Sequence, residues 1–227
     1  MKFEELFEQY YNLYRAEADT PASTEDEYVV AIRLANEAIN RWASYDNTMW
    51  LQLYTTLLAS GDGDDTIVDG VTEYAAPADF VMAGGDLKIV DTDGKTLETV
   101  RVIPPEESQF MADGTRYAYF TGNPQGGITL NLGSAPSVTW VGKSLNYVYY
   151  RKPSKIVSGN SRPEMTDPYF MVNRMLANRF RSSRNPYYSS AKADAEDALR
   201  MMQLQNNSGN IANPWSVMDR SGSSFGG

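Results

Sequence analysis

The chain of 227 residues contains no cysteine and no histidine. Without cysteine it can form neither a disulfide nor a thiolate metal site, which is typical of chains that fold in a reducing compartment. Without histidine it lacks the commonest general base and the commonest transition-metal ligand of proteins. Only carboxylate, lysine, tyrosine and hydroxyl chemistry remains, so we expect no catalytic activity, no metal and no cofactor.

Long apolar runs are missing as well. Charges interrupt residues 1–9, which therefore lack the apolar core of a secretory signal, and no later run approaches the length of a membrane span. The composition is nevertheless 42% hydrophobic and 12% aromatic, enough for the core of one elaborated domain or two small ones. We expect a soluble protein without a membrane partner.

The net charge of −9 is distributed unevenly. Residues 1–70 hold 4 Lys and Arg against 14 Asp and Glu, whereas residues 152–227 hold 10 against 6. Either acidic and basic helical surfaces attract each other within one fold, or the acidic surface of one copy contacts the basic surface of the next copy in a ring. The second interpretation pairs two sets of residues, Glu25, Asp26, Glu27 and Glu37 with Arg174, Arg181 and Arg184.

Two amphipathic helices are predicted before residue 45. Residues 1–18 form the first, and the second begins after Ser23 or Thr24, whose hydroxyl can cap a helix that opens with acidic residues. We place its end near Ser44. The buried stripes are Phe3, Leu6, Phe7, Tyr10, Tyr11 and Tyr14 in the first helix and Tyr28, Ile32, Ala35, Ile39 and Trp42 in the second, with Arg33, Asn36, Glu37, Asn40 and Arg41 facing outward.

Two more helices are predicted near the other end of the chain. Pro168 suits the first turn of a helix capped by Thr166 or Asp167, and Asn185-Pro186 ends it. The last helix spans residues 189–204, and both should pack on the helix at 25–44. Their packing residues are Tyr169, Val172, Leu176 and Phe180 in one, and Ala193, Ala195, Ala198, Leu199 and Met202 in the other.

Strand-like segments lie between the helices, separated by turn signals such as Asp93-Gly94. They predict strands at 70–74, 87–90, 96–103, 116–121, 127–132 and 145–151, in a small antiparallel sheet or sandwich. Residues 48–60 fit a helix or a strand, and we favour a strand because the segment is rich in Thr, Tyr and Trp.

Two groups of carboxylates invite a chemical interpretation. Residues 61–65 resemble half of a calcium loop, but the twelfth position from Asp62 is Glu73, in strand-like sequence. A glycosidase pair could be sought among Asp86, Asp91, Asp93, Glu106 and Glu107, although nothing fixes their separation. In both groups we favour solvated carboxylates in turns.

The last residues, 206–227, have too few apolar side chains to fold alone, and we predict an extended, flexible C-terminal arm. An apolar group within it suits the pocket or strand edge of a partner, or the chain's own domain. Its members are Ile211, Trp215, Val217 and Met218.

The segment Tyr74-Ala-Ala-Pro77-Ala-Asp79-Phe80 resembles the Tyr-x-Leu-Pro-x-Asp-Phe signature that opens the β module of phage head-to-tail adaptor proteins, including the tail tubular protein A type. Ala76 replaces the usual Leu. Residues 114–122 and 128–132 follow in the family's order, and Tyr147-Val-Tyr149-Tyr150-Arg-Lys-Pro153 resembles its exit motif. The resemblance covers about residues 25–203.

This resemblance implies a structural virion protein at the head–tail junction, assembled in the host cytoplasm. A ring of twelve copies would dock under the portal protein, continue the DNA channel without specific DNA binding, and present a surface to a downstream tail or nozzle protein. The predicted fold is α+β: a helical bundle of residues 1–47 and 154–205, an inserted antiparallel β domain of 48–153, and the arm of 206–227. A carbohydrate-binding or carbohydrate-cleaving β domain, with exposed Tyr and Trp stacking on sugars, and another tail or baseplate component remain as alternatives.

Overall fold

The structure is a computed structural model that describes residues 1–15, 22, 25–57, 65–123 and 126–209. Its helices and two β-sheets confirm the predicted α+β class. The chain divides into two compact units, a helical unit of Met1–Gln52 with Pro153–Gly227 and a β unit of Leu53–Lys152. The β unit is therefore an insertion, which begins after Gln52 rather than after residue 47.

Four helices of the described residues form the helical unit: α1 (Phe3–Tyr14), α2 (Asp26–Ala43), α3 (Tyr169–Ser183) and α4 (Tyr188–Gly209). Helix α3 packs against each of the other three and so occupies the centre of the bundle. The prediction that the C-terminal helices pack on α2 is confirmed for α3. Helix α4 instead packs mainly on α3, with an ion pair between Arg41 and Glu196 joining it to α2.

Helix α1 buries the aromatic stripe that its sequence predicts, except that Tyr14 at its end is only half-buried. Phe7 and Tyr28 of α2 meet edge to face, with ring centroids 4.8 Å apart. Such a pair is worth about 0.5–1.5 kcal/mol beyond the buried area. Aromatic packing thus fixes α1 on α2.

Helix α2 begins at Asp26 with Glu25 at its N-cap, while the predicted caps Ser23 and Thr24 lie outside the described residues. Ile32, predicted in the buried stripe, is half-buried because it lies at the edge of the face that the 3.6-residue period defines. The buried residues are Tyr28, Ala31, Leu34, Ala35, Ala38, Ile39 and Trp42.

Asn36 was predicted to face outward and does not. Its side chain is half-buried and makes two hydrogen bonds of 2.9 Å to the backbone of Ile156, donating to the oxygen and accepting from the nitrogen. These bonds attach the segment that follows the β unit to α2.

Helix α3 starts as predicted, next to Pro168. The Asp167 Oδ1 accepts a hydrogen bond from the Tyr169 nitrogen at 2.9 Å, so Asp167 is the capping residue. Tyr169 itself is 51% exposed because it lies in the first turn, and its predicted burial is wrong. The helix buries more than one stripe, as its central position requires, through Phe170, Met171, Val172, Met175, Leu176, Ala177 and Phe180.

Helix α4 packs through Ala191, Ala195, Leu199 and Met202. Ala193, a predicted packing residue, is exposed because it lies on the opposite face, and Ala198 is half-buried. The helix also runs past the predicted start of the arm at residue 206. Asn206 is only 5% exposed, and its side chain donates to the Met49 oxygen and accepts from the Leu51 nitrogen, both at 2.9 Å.

The segment that follows α2 is mostly turns. The favoured strand in residues 48–60 is confirmed for β1 (Tyr54–Thr56) only, while residues 58–60 lie outside the described part. Trp50 turns back onto Trp42, and its Nε1 donates to the Trp42 oxygen at 2.8 Å. This contact replaces the extended conformation that the composition predicted.

The β unit contains eight further strands in its described residues: β2 (Glu73–Ala75), β3 (Phe80–Ala83), β4 (Leu87–Val90), β5 (Thr96–Val102), β6 (Tyr117–Asn123), β7 (Gly127–Leu132), β8 (Ser144–Asn146) and β9 (Val148–Arg151). The predictions for β4 and β7 are confirmed at both ends. Strand β3 was missed, and the predicted strand at 145–151 is two strands that meet at Tyr147.

The strands form two sheets, with the orders β1-β9-β3 and β2-β7-β6-β5-β4-β8. Tyr147 is the point at which the chain passes from the larger sheet to the smaller one, since β8 pairs with β4 and β9 pairs with β1 and β3. The described pairs are antiparallel except for β5 and β6, which are parallel. The expectation of a purely antiparallel module is therefore wrong at that pair, where the segment after β5 crosses over before β6 begins.

Candidate functional site

Most of the residues that carry the family resemblance meet in the β unit. We call six of them the motif cluster: Tyr74, Pro77, Asp79, Phe80, Tyr147 and Tyr149. All are buried except Asp79, which is half-buried. Of the remaining two, the Tyr150 ring packs at a tilt against the Tyr54 ring, with the centroids 5.3 Å apart, and Pro153 is half-buried where the chain returns to the helical unit.

Asp79 joins the start of the inserted module to its end. Its Oδ1 accepts a hydrogen bond of 2.9 Å from the Tyr149 hydroxyl, and its backbone oxygen accepts one of 2.7 Å from the Lys152 nitrogen. Phe80 stacks on Tyr149 and Phe120, at centroid distances of 5.4 and 4.5 Å. The entry and exit segments of the insertion are thereby held together.

Tyr74 holds the segment before β2 in a similar way. Its hydroxyl donates to the Val71 oxygen at 2.8 Å and accepts from the Val68 nitrogen at 3.3 Å. Every named contact of the motif cluster is ring packing or a hydrogen bond within the β unit. The cluster therefore builds the module and has the geometry of a structural signature.

The charged residues of the helical unit form a second group, centred on Arg179. Its Nη2 donates to both carboxylate oxygens of Glu27, at 2.8 and 3.1 Å, and its guanidinium lies over the Tyr14 ring. Arg15 adds a longer ion pair to Glu27, at 3.7 Å. Glu27, a predicted inter-subunit residue, is thus engaged within its own chain.

Arg174 and Glu37, also predicted at a subunit contact, have partners in the same chain as well. Arg174 and Arg41 both pair with Glu196 of α4, at 3.4 and 3.1 Å. Glu37 accepts a hydrogen bond from the Asn178 side chain at 3.1 Å. The interpretation that acidic and basic helices attract each other within the fold applies to these residues.

The other predicted contact residues remain on the surface. Glu25, Asp26, Arg181 and Arg184 are exposed. Glu25 accepts a hydrogen bond from the Ala22 nitrogen at 3.2 Å, whereas the side chains of Asp26, Arg181 and Arg184 form no ion pair within the described residues. Arg184 ends α3 in the left-handed conformation, with φ of 54°.

Tyr10 lies beside the Arg179 group with its hydroxyl buried. Burial raises the pKa of Tyr10 to about 12, Arg179 opposes the shift, and the charge of Glu27 supports it. Within the part of the chain that the structure describes, the Tyr10 hydroxyl has no hydrogen-bond partner. It remains a neutral phenol at physiological pH.

The carboxylates considered for catalysis do not assemble into a site. Asp86 accepts from the Val102 nitrogen at 3.1 Å, and Asp91 pairs with Lys143 at 2.6 Å, a bond that lowers the pKa of Asp91. Glu106 and Glu107 are exposed in the 3₁₀ turn Pro105–Phe110. The described residues contain no group of three or more carboxylates placed to hold a metal ion. Most of the calcium loop considered above, residues 61–64, lies outside the described part.

The sugar-binding alternative requires exposed aromatic residues. Trp42, Trp50 and Trp140 are buried, at 1, 1 and 3% exposure, so they offer no stacking surface.

The arm residues Ile211, Trp215, Val217 and Met218 lie outside the described residues. Among the helices that the structure describes, none is long and apolar enough to cross a membrane.

Sequence reasoning missed the role of Arg179 and Asn206. Arg179 directly precedes the buried Phe180, a position from which a long side chain can reach a neighbouring helix. Asn206 continues the spacing of Leu199 and Met202, so the same pattern that predicted the helix extends to it. Its polar neighbours concealed that signal.

A family model described as SU10 adaptor protein matches residues 12–218 of the chain. The match includes the whole β unit, helices α2, α3 and α4, and the last residues of α1. No curated protein matches the chain.

Proposed function

Because the chain belongs to the SU10 adaptor protein family and is thus a structural adaptor of a phage virion, we propose that it forms a ring of twelve copies at the head–tail junction. The ring docks under the portal protein, continues the DNA channel and presents an attachment surface to a downstream tail or nozzle protein. It is of the tail tubular protein A type and has no catalytic role, metal or cofactor.

The observation that carries this proposal is the family match over residues 12–218. A match of that length includes both units, so it concerns the architecture rather than one motif. The motif cluster supports it, because Asp79 and Phe80 near the start of the inserted module are held against Tyr147 and Tyr149 near its end.

The charge distribution suits a DNA channel. Residues 1–70 hold 14 acidic against 4 basic residues. A negative channel wall repels phosphates and lets the duplex slide, whereas Lys and Arg contacts would bind it. We assign the acidic segment to that wall, and genomic DNA passes without specific binding.

The exposed charges supply the contact between subunits. Asp26 and Glu25 of one copy face Arg184 of the next, and Arg181 lies at the same interface, in a head-to-tail arrangement that closes into a ring. Glu27, Glu37 and Arg174 support this surface from within each copy through Arg179, Asn178 and Glu196.

The arm provides the attachment to the portal. Residues 210–227 follow α4, and Ile211, Trp215, Val217 and Met218 are the apolar anchors that enter pockets of the portal or of a neighbouring subunit. Assembly takes place in the host cytoplasm.

The experiment is to mix the full-length chain with the portal protein of the same phage and to measure the mass of the complex. The proposal predicts a portal complex that gains twelve copies and shows a second ring by electron microscopy. A chain that stays monomeric beside the portal and instead binds a glycan would contradict it.

A further inference from the structure

The helical unit carries a groove between α2 and α3 that the described residues leave open. We propose that Arg33 and Arg181 at this groove receive the acidic face of helix α1 of a neighbouring copy, through Glu4 and Glu8. This inference rests on the ring proposed above, and it names the two surfaces that meet in that ring.

The groove is open and has a volume of about 270 Å³. Val30 and Leu34 of α2 form its apolar part, and Asn178 and Ser182 of α3 line the opposite side. It is therefore wide enough for side chains of another helix, with polar groups along one wall.

The arginines of the groove differ from the others of the bundle. Arg41, Arg174 and Arg179 have carboxylate partners in their own chain, whereas Arg33 and Arg181 are exposed and form no ion pair within the described residues. Glu37 also lines the groove, but its carboxylate is held by Asn178. The groove thus offers two cations to an acidic ligand.

Helix α1 carries the complementary charge. Glu4 and Glu8 lie one turn apart on its exposed face, and the helix contains no basic residue. Like charges four residues apart repel each other, so a basic partner would relieve a local cost. Glu5 is less available because it accepts a hydrogen bond from the Lys2 nitrogen.

The two surfaces of one copy face different directions. Helix α1 buries Phe3 and Phe7 against Tyr28 of α2 and contacts α3 as well, whereas Glu4 and Glu8 lie on its exposed face, away from these contacts. The acidic face of α1 and the groove can therefore meet only between two copies. A head-to-tail contact of this kind forms a ring when the rotation from copy to copy closes on itself. A second copy is thus the occupant that charge complementarity selects.

Charge reversal and mixing test the pairing with full-length protein. Arg33→Glu with Arg181→Glu in one chain, and Glu4→Lys with Glu8→Lys in another, should each weaken association by about tenfold or more, because like charges then face each other. An equimolar mixture should assemble again, with the two variants alternating. The matched controls Arg200→Glu and Asp194→Lys, on the exposed face of α4, should leave assembly unchanged.

The contact can also be trapped, since the natural chain has no cysteine. The variant Glu8→Cys with Arg181→Cys should give a ladder of disulfide-linked multimers under oxidation, both free and on the portal. Each single variant should give none, and so should Asp194→Cys with Arg181→Cys.

Rings that form without the ladder, together with charge variants that assemble normally, would overturn this pairing and leave the adaptor ring intact. A ladder from the variant Asp26→Cys with Arg181→Cys, together with none from Glu8→Cys with Arg181→Cys, would mean that the start of α2 occupies the groove. That result would overturn the proposal for α1. A wild-type chain that neither self-associates nor binds the portal would overturn the ring itself, and the pairing with it.

Discussion

At the scale of single residues, Tyr10 carries a buried hydroxyl that has no hydrogen-bond partner among the residues that the structure describes. Its ring packs between helices, and burial raises the pKa of its hydroxyl from 10.0 to about 12. The folded pKa lies above the unfolded value, so the stabilisation from the neutral phenol is complete below pH 10 and is lost as the pH rises towards about 12.

Tyr10→Phe is therefore expected to increase the free energy of unfolding by about 1 kcal/mol, since an unpaired buried hydroxyl costs roughly 1–3 kcal/mol. The variant should also lose less stability between pH 10 and 12 than the natural chain. Urea unfolding at neutral and alkaline pH measures both effects. Tyr187→Phe, at a tyrosine that is 67% exposed, is the control. A loss of stability in Tyr10→Phe would mean that the hydroxyl has a partner.

The candidate site could be predicted from the sequence only in part. The motif from Tyr74 to Phe80 was recognised because its residue types and spacing are local. Which arginine pairs with which carboxylate was not, because Glu27 and Arg179 are far apart in the chain and meet only when α2 packs on α3. Charge counts along a sequence predict that helices attract, but packing decides the partners.

At the scale of elements, the end of α4 depends on tertiary contacts. Residues 205–209 have the polar, glycine-containing composition of a tail, yet the helix runs to Gly209. Two side chains of its last turns hold the segment after α2: Gln203 donates to the Thr48 hydroxyl at 2.9 Å, and Asn206 bonds to Met49 and Leu51. These bonds outweigh the low helix propensity of the segment.

Asn206→Ala is expected to lower the free energy of unfolding by about 1–3 kcal/mol, because it removes two hydrogen bonds from a buried side chain to the backbone of residues 49 and 51, each worth about 0.5–1.5 kcal/mol. Asn207→Ala, at the exposed neighbouring position, should change it by less than about 0.5 kcal/mol. Urea denaturation of the full-length variants provides the comparison. Equal midpoints for the two variants would show that the bonds of Asn206 contribute nothing.

Strands were predicted best where a turn lies beside them. Strands β4 and β7 match at both ends, and Asp93-Gly94 forms the turn between β4 and β5, with Gly94 at φ of +77°. The break at Tyr147 and the parallel pair of β5 with β6 were not predicted. Both depend on which sheet a strand joins, and that choice leaves no periodic signal in the strand itself.

At the scale of the whole molecule, the composition of the proposed arm combines two features that do not fit a tail without a partner. Residues 210–227 lack the side chains to fold alone, yet they contain Trp215, Val217 and Met218. We proposed above that these apolar side chains bind a partner, and ordering a segment of chain costs roughly 1–2 kcal/mol per residue, which contacts along the arm would have to offset.

Deletion of residues 210–227 is expected to leave the melting temperature of the body nearly unchanged and to reduce portal binding strongly. Trp215→Ala alone should lose about 2 kcal/mol or more of binding free energy if this residue is the main anchor. Deletion of 206–227 serves as the contrast, because it also removes Asn206 and should lower the melting temperature. Undiminished portal binding by the shorter deletion would exclude the arm as the attachment.

The central claim is a ring between portal and tail, and electron cryomicroscopy of the head–tail junction of the intact virion tests it most directly. The account predicts twelve copies of the chain around the channel, in contact with the portal on one side and with a tail or nozzle protein on the other, with α1 of each copy against the α2–α3 groove of the next. Density for this chain at the distal end of the tail, or its absence from the junction, would contradict the account.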